Sequence, residues 1–155
     1  MTTQTCGIGD PSSPRIRPHL IYDDPGAAIE WLTRVFGFRE RTAMRHITSD
    51  GRIQRTQMEV VDSLITLGLP SVHGGSPRNG VSSMLYVYLD DVDGHYRRAV
   101  ASGANIVLAL EDRPWGDRNY QVADLEGHQW TFAQRLRDVD PQTCAEETML
   151  RSSEF

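Results

Sequence analysis

Two copies of one β-α-β-β-β module, giving an α+β chain, are what this sequence predicts. Three observations carry that prediction. An acidic pair followed by a helical pattern occurs at Asp23-Asp24 and returns at Asp90-Asp91, an offset of 67 residues that also aligns Ile29 with Tyr96. Gly37 and Gly103, each placed to end its helix, align at an offset of 66. Each helix is followed by three short extended runs separated by turn residues, and the two series are divided by PSVHGGSPRNG (70–80), a loop by composition. Neither half could bury a sheet face alone, so the repeat makes one domain of two paired modules.

The elements follow in order. Residues 1–15 are rich in Thr, Ser, Gly and Pro without periodicity and are expected to be disordered. The first module covers 16–69. Ile16 to Tyr22 reads as a strand, Asp24 as a helix cap and Pro25 as a first helical residue. Ala28, Ile29, Leu32, Val35 and Phe36 then recur at helical spacing. Phe38 to Ile47 and Arg52 to Val61 read as a hairpin around Ser49-Asp50-Gly51, and Leu64 to Leu69 as the last strand. Residues 70–82 form the linker. The second module, 83–134, opens with a strand at Ser83 to Leu89 and a helix with Val92, Tyr96, Ala99 and Val100 on one face. Asn105 to Leu110 is a strand, and a final hairpin pairs Asn119 to Ala123 with His128 to Phe132 around Asp124-Leu125-Glu126-Gly127. Before that hairpin, Pro114 to Arg118 reads as a loop whose Trp115 is either a lid over a pocket or a plug on the core. Residues 135–155 are a polar tail in which Asp140-Pro141 can start a short helix to about Leu150.

Composition excludes several classes. The 155 residues are 39% hydrophobic and 24% charged, within the range of a soluble globular protein. No apolar run approaches a membrane span and no signal peptide opens the chain, so the expectation is a cytoplasmic protein with no membrane partner. A net charge of -5, with no Arg-rich run, argues against nucleic-acid binding. All 16 basic residues are Arg. Cys6 and Cys144 lie near opposite ends, without the spacing of a disulfide framework or a zinc site.

The two modules, their Asp-Asp openings, the loop PWGDR (114–118) and the hairpin VADLEGHQW (122–130) together resemble the vicinal-oxygen-chelate superfamily of glyoxalases, bleomycin-resistance proteins and dioxygenases. The resemblance is closest to the bleomycin-resistance-like branch and covers about Ile16 to Leu150. It implies that the paired sheets curve into a half-open barrel around a pocket. It also implies a homodimer. Metal enzymes of the group take one ligand from the first strand and one from the last strand of each module. Counted back from Asp24 and Asp90, the first-strand positions fall on Pro18 and Met84, and the last-strand runs SLIT (63–66) and GHQWT (127–131) place the others on Thr66 and Thr131. Such a set is poorly suited to Zn, Ni or Fe, so no metal and no other cofactor is expected. His19 is one residue from the first position. A register shift would bring it to the pocket face, where Glu59 or His128 could join it; otherwise His19 faces the helices or solvent.

Strand alternation then divides the side chains. Leu20, Tyr22, Leu64, Tyr86, Tyr88 and Gln129 share a face with the four counted positions. Ile21, Ile65, Leu67, Leu85, Val87, Leu89, Trp130 and Phe132 take the other. The candidate ligand-binding set is Trp115, Tyr86, Tyr88, Tyr22, Thr66, Thr131, Gln129 and Arg118. Aromatic faces supply stacking area and the polar groups fix orientation. Asp117 and Arg118 could equally pair to shape their loop. Glu59 is the one carboxylate nominated as a catalytic base. His46 and His95 are expected at the surface, as is His73. The favoured function is metal-free sequestration or carriage of an aromatic small molecule, with the acidic balance favouring a cationic one. Two alternatives stand beside it: a metal- or Glu59-dependent lyase, isomerase or dioxygenase, and an interaction dimer with no small ligand.

Overall fold

The computed structural model describes residues 16–70 and 83–140, which fall into two compact units on either side of position 80. The expected disordered tail, most of the linker and the C-terminal helix lie outside these residues.

In the first unit the elements are β1 (His19–Ile21), α1 (Pro25–Phe36), β2 (Arg39–Glu40), a 3-10 turn at Thr42–Met44, β3 (His46–Ile47), β4 (Ile53–Val60) and β5 (Ser63–Gly68). The sheet order is β1-β5-β4-β2, with β3 also paired to β4. The second unit repeats this as β6 (Met84–Tyr88), α2 (Val92–Ala101), β7 (Asn105–Asp112), β8 (Asp117–Ala123) and β9 (Gln129–Arg135), in the order β6-β9-β8-β7. In both units the first strand runs parallel to the last and the remaining pairs are antiparallel. The repeat read from the sequence is therefore a repeat of topology, and the chain has the predicted α+β fold.

Local chemistry starts and ends the helices. Asp24 accepts a hydrogen bond from the Ala27 amide at 3.0 Å, Pro25 fills the first turn, and Gly37 closes α1 at φ 76°, where a side chain would be strained. Asp91 caps α2 through the Gly94 amide at 3.0 Å, and the Gln134 amide oxygen accepts from the Val92 amide at 3.1 Å. The two caps, Asp24 and Asp91, set the true offset between the modules at the first strand.

Each helix covers one face of its own sheet. Under α1, Leu32, Val35 and Phe36 meet Met58, Val60, Ile65 and Leu67, all buried. Trp31 packs edge-on against Phe36 with centroids 4.9 Å apart. In the second unit Val92 and Ala99 lie with Tyr120, Val122, Trp130 and Phe132, likewise buried. His95 joins this group, contrary to its expected surface position. Its ring is 4.2 Å from that of Phe132 and its Nδ1 is 2.6 Å from the Tyr120 hydroxyl. An apolar stripe gave no hint that a buried phenol would need a polar partner.

Three boundaries differ from expectation. The strand expected over 38–47 is broken by the 3-10 turn into β2 and β3, and β3 is an exposed strand of two residues whose Ile47 stays largely in solvent. Asp117 and Arg118 belong to β8 rather than to the loop, which shrinks to 114–116. Gly116 holds that turn at φ 95°, where a Cβ would lie 2.2 Å from the Arg137 carbonyl oxygen. Finally, β1 pairs His19 with Thr66, Leu20 with Leu67 and Ile21 with Gly68. The faces assigned to the first strand are thus inverted: His19, not Pro18 or Leu20, shares the face of Thr66. Tyr22, placed beside the pocket by alternation, lies past the end of β1 and is fully buried. The cause is a span of six residues back from Asp24, one too long: five residues separate that cap from His19, as five separate the cap Asp91 from Tyr86. A slip of one residue flips every side chain of a strand.

Candidate functional site

The polar and aromatic side chains of the second sheet converge on one carboxylate. On the face opposite α2, Met84, Tyr86 and Tyr88 of β6 lie beside Gln129, Thr131 and Ala133 of β9, and these beside Asp117, Asn119 and Gln121 of β8. Asp117 is 1% exposed. Its Oδ2 accepts hydrogen bonds from the Tyr86 hydroxyl at 2.8 Å and the Tyr88 hydroxyl at 3.0 Å. Its Oδ1 lies 3.6 Å from Nε of Arg135. A buried carboxylate is costly unless charge and hydrogen bonds compensate it, and here two phenols and a guanidinium do so.

The Tyr86 hydroxyl is itself fully used. It donates to Asp117 and accepts from Asn119 Nδ2 at 2.9 Å and from the Trp115 indole at 3.4 Å. Arg113 donates to Asn119 Oδ1 at 2.7 Å and also pairs with Glu111, so the network extends to the edge of the sheet. Burial, reinforced by the Asp117 carboxylate, holds the Tyr86 phenol above its ordinary pKa, against the opposing pull of the Trp115 and Asn119 donors. The rings remain accessible while their hydroxyls are locked. Tyr86 is 40%, Tyr88 48% and Trp115 38% exposed, and the two tyrosine centroids are 5.4 Å apart at 49°. The Arg135 guanidinium lies 5.9 Å from the Tyr88 ring centre.

Beside this cluster, Gln121 Nε2 donates to Gln129 Oε1 at 2.7 Å, and Gln121 and Thr131 both approach the Met84 sulfur at 2.9 Å. Five of the residues expected to bind ligand therefore share one sheet face or its edge: Tyr86, Tyr88, Trp115, Thr131 and Gln129. Thr66 and Tyr22 belong to the first unit. Arg118 points to the helix side of the second sheet, held by Asp93 of α2 at 3.1 Å and Asp112 at 2.9 Å. It does not pair with Asp117. Sequence reasoning missed Asn119, Arg113 and Asp117 as the frame of the site. Alternation from Asp117 through Asn119 to Gln121 identifies Asp117 and Asn119 once β8 starts at Asp117, whereas Arg113 lies between β7 and β8 and leaves no such signal.

In the first unit, His19 Nδ1 is 2.7 Å from the Thr66 hydroxyl, so the histidine does reach the face expected only for a shifted register. Glu59 shares that face and is bound by Arg39. His128 lies against Asp124, 3.3 Å away. The first-strand neighbours of Thr66 and Thr131 are thus His19 and Tyr86, in place of Pro18 and Met84. Neither the imidazole and hydroxyl of the first unit nor the hydrogen-bonded phenol and hydroxyl of the second make a donor set suited to Zn, Ni or Fe. Among the described residues no cluster of three His, Cys, Asp or Glu could hold a metal ion.

Two modules of this topology make the α+β glyoxalase fold. A model of the Glyoxalase/Bleomycin resistance protein/Dioxygenase superfamily matches residues 15–132, and the chain belongs to that superfamily. It is similar to TioX from Micromonospora sp. ML1, with 35% identity and a TM-score of 0.65 over 80% of this chain and 100% of that one. An uncharacterized protein of Mycobacterium bovis is 32% identical over 134 residues, 82% of this chain and 87% of its own. A glyoxalase/bleomycin resistance protein/dioxygenase family enzyme from Burkholderia phytofirmans PsJN shares the fold at 19% identity and a TM-score of 0.65, over 76% of this chain and 95% of its own. No described helix is long and apolar enough to cross a membrane.

Proposed function

We propose that the chain is a small-molecule-binding protein of the bleomycin-resistance type, taking an aromatic organic ligand on the Tyr86–Tyr88–Trp115 face without a metal. The observation that carries this reading is the buried Asp117, which fixes both phenol hydroxyls and leaves the rings accessible beside the indole. Rings whose orientation is set in advance lose little freedom on binding, so more of the stacking energy appears as affinity. The experiment is calorimetric titration with a panel of planar aromatic compounds, neutral and cationic, against the parent protein and Trp115→Ala. A binder should lose about 1–3 kcal/mol in the variant. Thermal stability should change less, because the indole is partly exposed and makes one long hydrogen bond. A variant whose melting temperature falls sharply while its affinity, measured well below the transition, stays that of the parent would make Trp115 a plug and defeat this reading.

A second copy of the chain is the partner this reading expects. β7 is an edge strand with Val107 40% and Leu108 49% exposed, and association would cover both. Light scattering at micromolar concentration should give the mass of a dimer, and a monomer mass would refute the point.

A further inference from the structure

The face that the first sheet turns away from α1 is cationic, although the chain carries 21 acidic residues against 16 basic ones. A row of polar side chains crosses it: Arg41, Gln57, Thr66 and His19. The Arg41 amide donates to the Gln57 carbonyl at 2.9 Å, extending the β2–β4 pairing by one residue, and Gln57 and Thr66 are register partners. Arg41 Nη1 donates to Gln57 Oε1 at 3.4 Å, a long and weak bond. One row along, Arg55 of β4 stands opposite His46 of β3, its Nη2 3.5 Å from the imidazole Nε2. The carboxylate on this face, Glu59, is taken by Arg39. Arg41 and Arg55 are both half-buried, and among the described residues neither is ion-paired with a carboxylate.

The second sheet is an internal control. Its equivalent row is Leu108, Gln121, Thr131 and Tyr86, and Asn119 stands where Arg55 does. The Gln–Thr pair is retained and both cations are absent, so the module folds without them. The arginines answer to something other than the architecture. A guanidinium presents a planar fork of N–H donors that matches a carboxylate or a phosphate, and partial burial strengthens such a pair.

We propose that Arg41 and Arg55, with the Gln57 amide between them, form a binding site for an oxyanionic group, a carboxylate or a phosphate, on the first sheet. The proposal rests on residues of the first unit alone and does not depend on the reading of the aromatic face. The test is calorimetry on the full chain at low salt, with sodium benzoate and inorganic phosphate as probes. At least one should bind saturably, and Arg41→Gln and Arg55→Gln should each weaken that binding roughly tenfold or more. Arg97→Gln removes the same charge from the exposed surface of α2 and should leave affinity unchanged. Saturation by phosphate alone assigns the site to phosphate esters, and saturation by benzoate alone to organic acids. Absence of saturation with both probes overturns the proposal. So does benzoate binding that both arginine variants leave intact, or an equal loss in Arg97→Gln. Thermal melts by circular dichroism establish that each variant is folded, and Arg55→Gln carries the test if Arg41→Gln is not.

Discussion

Asp117 and Asp124 begin and follow the same strand, and both are buried carboxylates with different duties. Asp117 orders side chains that face outward, whereas Asp124 closes the chain on itself. Its Oδ1 accepts from the Glu126 amide at 3.1 Å and the His128 amide at 3.0 Å, and its Oδ2 from the fully buried Trp130 indole at 3.2 Å. Gly127, at φ 89°, completes the turn with a bond from its amide to the Asp124 carbonyl at 3.0 Å. Removing the carboxylate leaves a buried indole N–H and two turn amides to find other partners. Asp124→Ala should therefore cost about 3 kcal/mol, read as a lower urea midpoint with an unchanged m-value. The turn itself was legible, because Asp-Leu-Glu-Gly between two alternating runs is hairpin chemistry. The indole bond was not legible, since nothing in local sequence says that Trp130 will point back at Asp124. Likewise Tyr86, Tyr88 and Trp115 were identifiable as an aromatic set. Their shared dependence on Asp117 required knowing that β8 starts at that residue.

At the scale of elements, acidic pairs start both helices but only one member of each pair caps. Asp91 binds the Gly94 amide, while Asp90 is exposed and has no hydrogen bond among the described residues. Asp91→Ala should lower stability by about 1 kcal/mol, and Asp90→Ala should stay within about 0.5 kcal/mol of the parent. Equal losses in chemical denaturation would show that the pair acts through the helix dipole instead of through one cap. This distinction also explains where the sequence could be read and where it could not. Helix existence, both caps of α1 and the strand order followed from spacing and turn residues. Strand faces in the first module depended on the span between the strand and its helix cap Asp24, and a span one residue too long put Pro18 in the place of His19. The split of the expected 38–47 strand was likewise hidden. Its 3-10 turn buries Met44, and an ion pair between Glu40 and Arg45 spans it, neither of which leaves a period in the sequence.

At the scale of the whole molecule, the titrating groups divide by unit, and so do the pH limits of stability. In the first unit burial alone would raise the Glu40 pKa. Hydrogen bonds from Arg45 at 2.9 Å and Thr56 at 2.7 Å outweigh it and hold the carboxyl below its ordinary value. A folded pKa below the unfolded one contributes stability that is present above about pH 4.3 and is lost as pH falls through the folded value. In the second unit burial pushes the Tyr120 phenol well above its ordinary range, with Tyr96 adding to the effect, and Tyr86 is raised as well. Raised phenols do the reverse: their contribution is complete below about pH 10 and disappears as pH climbs through the folded values. Urea midpoints measured from pH 3 to pH 11, on the order of ten points across that range, should therefore hold steady near neutrality as far as these groups are concerned and decline at both ends. Glu40→Gln should flatten the acid decline relative to the parent and leave the alkaline one untouched. Tyr120→Phe should do the opposite, after an initial loss at neutral pH from the His95 nitrogen that its hydroxyl meets at 2.6 Å. An acid decline of the same steepness in Glu40→Gln and the parent would mean that the Arg45 and Thr56 bonds persist in the unfolded chain or that Glu40 titrates normally, and either result refutes the assignment.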